Sequence, residues 1–148
     1  MKLEHILEDN TRTRNHYKAR LRYHFVLCTK YRKKCLDEIK EDVFASFKLC
    51  EEKSHFTILN MNIDKDHIHL LIEIPPVYSV GQTIRRLKEF TTNYLYRTQN
   101  DWLRKFYWSK KRKLWTNGYF CSTVGLVSEE TVFEYINNQG KNITIKFL

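Results

Sequence analysis

Ile68, Leu70, Ile72 and Ile74 fall at every second position of Asp66-His67-Ile68-His69-Leu70-Leu71-Ile72-Glu73-Ile74-Pro75-Pro76. A period of two is the signature of a strand with one face in a core. His67 and His69 then share the opposite face, with Cα atoms roughly 6.6–7 Å apart. Two neutral imidazoles at that spacing can converge on one metal ion; the plainer reading is two exposed histidines on an ordinary strand. Asp64-Lys65-Asp66 before the strand and Pro75-Pro76 after it mark its ends.

Working outward, Phe56 to Ile63 reads as a strand joined to this one by a three-residue turn, so the two form an antiparallel hairpin. Upstream, Arg20 to Cys28 alternates, with Leu21, Tyr23, Phe25 and Leu27 on one face. Residues 36–54 have helical spacing, carrying Leu36, Ile39, Val43, Phe44, Phe47 and Cys50 on one stripe. Downstream, Ser79 is placed to cap a helix over about 80–99, with Gln82 as its capping-box partner. Val80, Ile84, Leu87, Tyr94 and Leu95 form that helix's buried stripe. Gly118 to Val124 reads as a fourth strand. Ser128 caps a last helix with Glu129 and Glu130 in its first turn, and Gly140 ends it. The expected fold is therefore α+β: a ferredoxin-like (RRM-like) four-stranded antiparallel sheet with two crossover helices, plus a C-terminal helix. Residues 1–19 lack a period and are expected to form a basic, poorly ordered arm or a short helix, leaving 20–148 as the domain.

The chain has 148 residues, and 26 Lys and Arg against 17 Asp and Glu give a net charge of +9. Such an excess favours a polyanionic partner, nucleic acid above all. No run approaches the ~18 apolar residues of a membrane span, and the charged N-terminus is not expected to act as a signal peptide. The four cysteines have no Cys-x-x-Cys pairing, which fits reduced thiols in the cytoplasm. Two stretches suit a nucleic acid. Lys30, Tyr31, Arg32 and Lys33 form a basic loop with one ring. Between 100 and 117, Lys110, Lys111, Arg112 and Lys113 lie among Trp102, Phe106, Tyr107, Trp108 and Trp115. Cations for phosphates and flat rings for unstacked bases make a single-strand site, although anchoring of the loop to the core accounts for some of these rings. Arg22, Arg85 and Arg86 complete the expected DNA-binding set.

Tyr135 and Gln139 are four apart on the last helix, one turn from each other on the same face. Taken alone they are an ordinary surface pair. Together, however, Asp66-His67-Ile68-His69, Tyr31-Arg32-Lys33-Lys34, the run from Leu114 to Phe120, Ser122-Thr123-Val124-Gly125 and the run from Tyr135 to Gln139 strongly resemble the single-tyrosine HUH transposases of minimal bacterial and archaeal insertion sequences. HUH denotes histidine, a bulky hydrophobic residue and histidine. The resemblance covers about residues 20 to 140; Thr29 departs from it where proline is expected.

The resemblance implies that Tyr135 is the nucleophile and that His67, His69 and Gln139 bind a divalent metal, Mg2+ or Mn2+. It implies cleavage and rejoining of single-stranded DNA at insertion-sequence ends through a 5′-phosphotyrosine, with hairpin recognition. It also implies a homodimer sharing its active sites, in a cytoplasmic protein that joins the nucleoid when bound to DNA. The alternatives are a domesticated palindrome-processing relative, an HUH nickase, or a non-catalytic RRM-like nucleic-acid-binding module. The module predicts aromatic rings at the centre of the third strand; His67, His69 and Leu71 stand there instead.

Overall fold

The computed structural model describes residues 12–14, 17–19, 21–124 and 136–137, with side chains from residue 21 onward. Two short strands, β1 (Arg12–Arg14) and β2 (Tyr17–Ala19), pair antiparallel in a small ribbon of their own. Of the two expectations for this stretch, a poorly ordered arm or a short helix, the helix is therefore corrected for these residues. Three-residue strands are too short to show a period in the sequence.

The main sheet contains β3 (Arg22–Cys28), β4 (Thr57–Ile63), β5 (His67–Glu73) and β6 (Phe120–Thr123), in the order β4-β5-β3-β6. Every neighbouring pair is antiparallel. Two helices cross over it: α1 (Lys40–Glu52), entered through a 3-10 turn at Asp37–Ile39, and α2 (Val80–Thr98). A one-turn helix, α3 (Asn100–Leu103), follows. This is the ferredoxin-like arrangement, with the His-containing strand at the centre of the sheet.

Alternation places Phe25, Leu27, Ile68, Leu70 and Ile72 in the main core, with Val43, Phe47, Cys50, Ile84, Leu87 and Leu95 of the two helices. Leu21 lies outside the strand and is exposed. The α2 stripe is wider than expected. Tyr96 is buried while Tyr94 is only half-buried, because the Tyr96 hydroxyl donates to the Lys113 carbonyl (2.6 Å). The α2 N-terminus carries the full capping box. Ser79 Oγ accepts from Gln82 N (3.0 Å), and Gln82 Oε1 accepts from Ser79 N (3.1 Å). β4 bulges between Ile58 and Asn60, and beyond the bulge Asn62 pairs with His69.

The rings of the 100–117 stretch divide. Trp102 Nε1 donates to the Cys35 carbonyl (2.8 Å), Tyr107 Oη to the Lys30 carbonyl (2.7 Å), and Trp115 Nε1 to Thr91 Oγ1 (3.0 Å). Each is an apolar body whose polar tip finds a partner, so these rings pin the loop to the core. Trp108 alone of the five stands largely in solvent, at 80 % exposure. All four cysteines are thiols, and three are buried.

Candidate functional site

The face of the sheet turned away from α1 and α2 carries the site. On β5 it presents His67, His69, Leu71 and Glu73; pairing sets these against Cys28, Val26, His24 and Arg22 of β3. β6 adds Phe120 and Ser122, opposite Val26 and His24. At one end Arg22 Nε pairs with Glu73 Oε1 (3.3 Å). At the other stand the two imidazoles, ring centroids 5.2 Å apart and nearly edge to face.

Asp66 orients the first of them. Its Oδ1 lies 2.9 Å from His67 Nδ1, and its Oδ2 accepts from Arg32 Nε at 2.8 Å. Burial by itself raises the Asp66 carboxyl, but the hydrogen bonds from His67 and Arg32 and the Arg32 charge outweigh it, leaving it below the usual carboxylate range. An ionised carboxylate only accepts, so Nδ1 of His67 is the donor to Asp66 and Nε2 is the ring nitrogen left to face a ligand. Burial, then the neighbouring His67 and His24, lower the His69 pKa. That imidazole is accordingly neutral at pH 7, the form that ligates metal. Two lone-pair-bearing imidazoles side by side, one fixed by a carboxylate, fit a divalent ion. Among the described residues no third His, Cys, Asp or Glu joins them.

Tyr135 and Gln139 lie outside the described residues, as do Ser128 and Gly140, the expected ends of the last helix. Ile136 and Asn137 are described and helical. Ile136 is 8 % exposed and packs with Val26, Cys28 and Phe120 in a second apolar cluster. Val26 and Cys28 are the cross-strand neighbours of His69 and His67. The residue that follows Tyr135 is thus seated on the histidine face.

The basic residues are spread over several places. Arg32 is turned onto Asp66, and it also donates to the Ile136 carbonyl. Arg86 donates to Ser54 Oγ (2.5 Å) and the Lys53 carbonyl (3.0 Å). Lys30, Arg85, Arg112 and Lys113 line a cleft of about 580 Å³ between α2 and the 112–119 segment. Lys88, absent from the expected set, lies in the same cleft and donates to the carbonyls of Thr116 (2.8 Å) and Gly118 (2.9 Å). Burial lowers its pKa to about 8. Among the described residues, Glu89 is the one acidic residue of the lining. Lys110 and Lys111 are exposed at the loop tip; Lys33 lies over Trp108 (6.0 Å), and Tyr31 sits between Lys30 (5.9 Å) and Lys113 (5.7 Å). Sequence reading missed Asp66 as a site residue, because an aspartate in a tight turn before a strand is ordinarily only a turn former.

Comparison with known proteins bears on the family and the fold. The family described as "Transposase IS200 like" matches residues 17–139. The transposase for insertion sequence element IS200 of Salmonella typhimurium is 34% identical over 126 residues, covering 84% of this chain and 80% of that protein. The ISDra2 transposase TnpA of Deinococcus radiodurans is 23% identical over 124 residues, 83% of this chain and 86% of its own. A crystal structure of a Deinococcus radiodurans protein assigned as a transposase has the same fold, with a TM-score of 0.75 at 24% identity over 86% of this chain and 97% of that one. A REP-associated tyrosine transposase bound to a REP hairpin superposes with a TM-score of 0.53 at 12% identity, over 88% of this chain and 74% of its own. With most of its length matched by the family and 34% identity to an IS200 transposase across 84% of the chain, this chain belongs to the IS200-like transposase family.

Proposed function

We propose that this transposase cleaves and rejoins single-stranded DNA at the ends of its element, with Tyr135 as nucleophile. His67, His69 and Gln139 hold a divalent ion, Mg2+ or Mn2+. The observation that carries the reading is the seating of Ile136, next to Tyr135 in the chain, on Val26 and Cys28, the strand neighbours of His69 and His67.

The Tyr135 oxygen attacks phosphorus, a new O–P bond forms, and the P–O3′ bond breaks. The phenolic proton leaves to solvent, the leaving strand ends in a 3′-hydroxyl, and the protein carries a 5′-phosphotyrosine. A second 3′-hydroxyl then attacks the same phosphorus and expels the tyrosine, so one phosphodiester is exchanged for another without a nucleotide cofactor. A bound divalent ion supplies Lewis acidity toward a phosphate oxygen and neutralises developing charge. Asp66 holds the His67 ring in the tautomer that ligates. His69 stays neutral because burial disfavours its charged form.

The cationic cleft and the exposed Lys110 and Lys111 suit the phosphates of a DNA hairpin at the element end, where charge rather than base recognition supplies most of the affinity. A homodimer in which Tyr135 of one subunit serves the histidines of the other belongs to the same proposal. The test is strand cleavage of a hairpin-bearing single strand by the wild type and by His67→Ala and His69→Ala, with Mg2+ or with chelator. Cleavage abolished in both variants and in chelator, with hairpin binding retained, is the expected result. Loss of binding along with cleavage would make the histidines structural.

A further inference from the structure

Arg32 occupies a position that composition and motif alone leave to the DNA. It follows Tyr31 in the 3-10 turn Lys30–Arg32 beyond β3, and the two residues have φ of 60° and 54°. Consecutive non-glycine residues in the left-handed region are held there only where surrounding contacts impose it. Those contacts are present. Arg32 N donates to the Thr29 carbonyl (3.0 Å), and Thr29 is itself fully buried, its N–H donating to the Asp66 carbonyl (2.9 Å) and its hydroxyl to the Lys33 carbonyl (2.8 Å). The turn delivers the guanidinium to the rim of the histidine face. There Nε meets Asp66 Oδ2 at 2.8 Å and a terminal nitrogen donates to the Ile136 carbonyl. The result is one chain of contacts: Ile136 carbonyl, Arg32, Asp66, His67.

We propose that Arg32 is a positioning residue, its planar guanidinium tying the backbone next to Tyr135 to the aspartate that orients His67. This rests on the assignment of Tyr135 and His67 made above and adds what aligns them. A guanidinium suits the task because it offers several donors in a rigid plane and engages two acceptors at once, whereas an ammonium is a point charge on a flexible stem. It also separates two roles for the same residue. A phosphate contact is served by any cation; a bridge between a carboxylate and a carbonyl in fixed geometry is not.

The experiment compares wild type, Arg32→Lys, Arg32→Ala and Asp66→Asn, each first checked for an unchanged melting temperature of the sheet. Two quantities are read: the affinity for a hairpin-bearing single strand as a function of salt, and the single-turnover rate of covalent adduct formation at saturating DNA. Arg32→Lys is expected to keep the wild-type affinity and salt slope yet to form adduct at least tenfold more slowly. Arg32→Lys combined with Asp66→Asn is expected to cost no more than the worse single change, since both break the same chain. The proposal is overturned by a wild-type rate in Arg32→Lys, or by a loss confined to affinity in Arg32→Ala that lysine restores. A wild type that forms no adduct overturns the assignment of Tyr135 itself, and this inference with it; an active wild type with an indifferent Arg32 overturns this inference alone.

Discussion

Replacing Ile136 with alanine isolates the packing that seats the Tyr135 segment. The side chain is 8 % exposed and lies against Val26, Cys28 and Phe120, a cluster distinct from the main core between sheet and helices. Ile136→Ala deletes three carbons, and at about 0.8 kcal/mol for each buried carbon the loss is ~2.4 kcal/mol before any cavity term. Because 1.4 kcal/mol is a factor of ten, that is about 50-fold in the equilibrium for undocking. The main core keeps its own packing intact, so the loss falls on docking rather than on global stability. Hydrogen exchange reads the difference directly: amides of Ile136 and Asn137 should exchange about 50-fold faster, while those at the centres of β3 and β5 hold their wild-type rates. Equal acceleration in the sheet would mean that the patch is part of the global core. No acceleration anywhere would mean that the packing carries no weight, and the proposed action of Tyr135 at the histidine face would lose its physical basis.

Two further outcomes follow from other parts of the molecule. Arg85→Gln with Arg112→Gln removes two cations of the cleft beside Lys88, and should lower the salt dependence of hairpin binding by ~0.7–0.9 for each phosphate no longer neutralised; an unchanged slope in a filter-binding titration would take the cleft out of the interface. Ser79→Ala breaks the capping box of α2 at an exposed position and should cost about 1 kcal/mol in a urea titration without altering the m-value.

The legible parts of the fold were those with a period or a cap. Alternation through Ile68, Leu70 and Ile72 located the central strand and its open face, and Ser79 with Gln82 located the start of α2 to the residue. The ribbon of β1 and β2 was illegible because its pairing is made by backbone groups in strands of three residues. The 100–117 rings were ambiguous for a different reason. An indole that will stack on a base and one that will donate to a carbonyl look alike in sequence, and the partner of Trp102 is Cys35, 67 residues away. The histidine pair was visible from its spacing, but the use of Asp66 and Arg32 was not, since it depends on two consecutive left-handed residues that no local pattern announces. Tyr135 and Gln139 rest on their spacing, on the family resemblance and on the seating of Ile136 between them.

The proposed function requires Tyr135 to become covalently joined to DNA. Tyr135→Phe keeps the ring and removes only the hydroxyl, so the fold and the affinity for DNA should be unchanged. A hairpin-bearing single strand labelled on the 3′ side of the cut, incubated with Mg2+ or Mn2+ and run on a denaturing gel, should give a labelled protein band with the wild type and none with Tyr135→Phe. A labelled band of undiminished intensity in Tyr135→Phe would contradict the account and move the nucleophile to another residue.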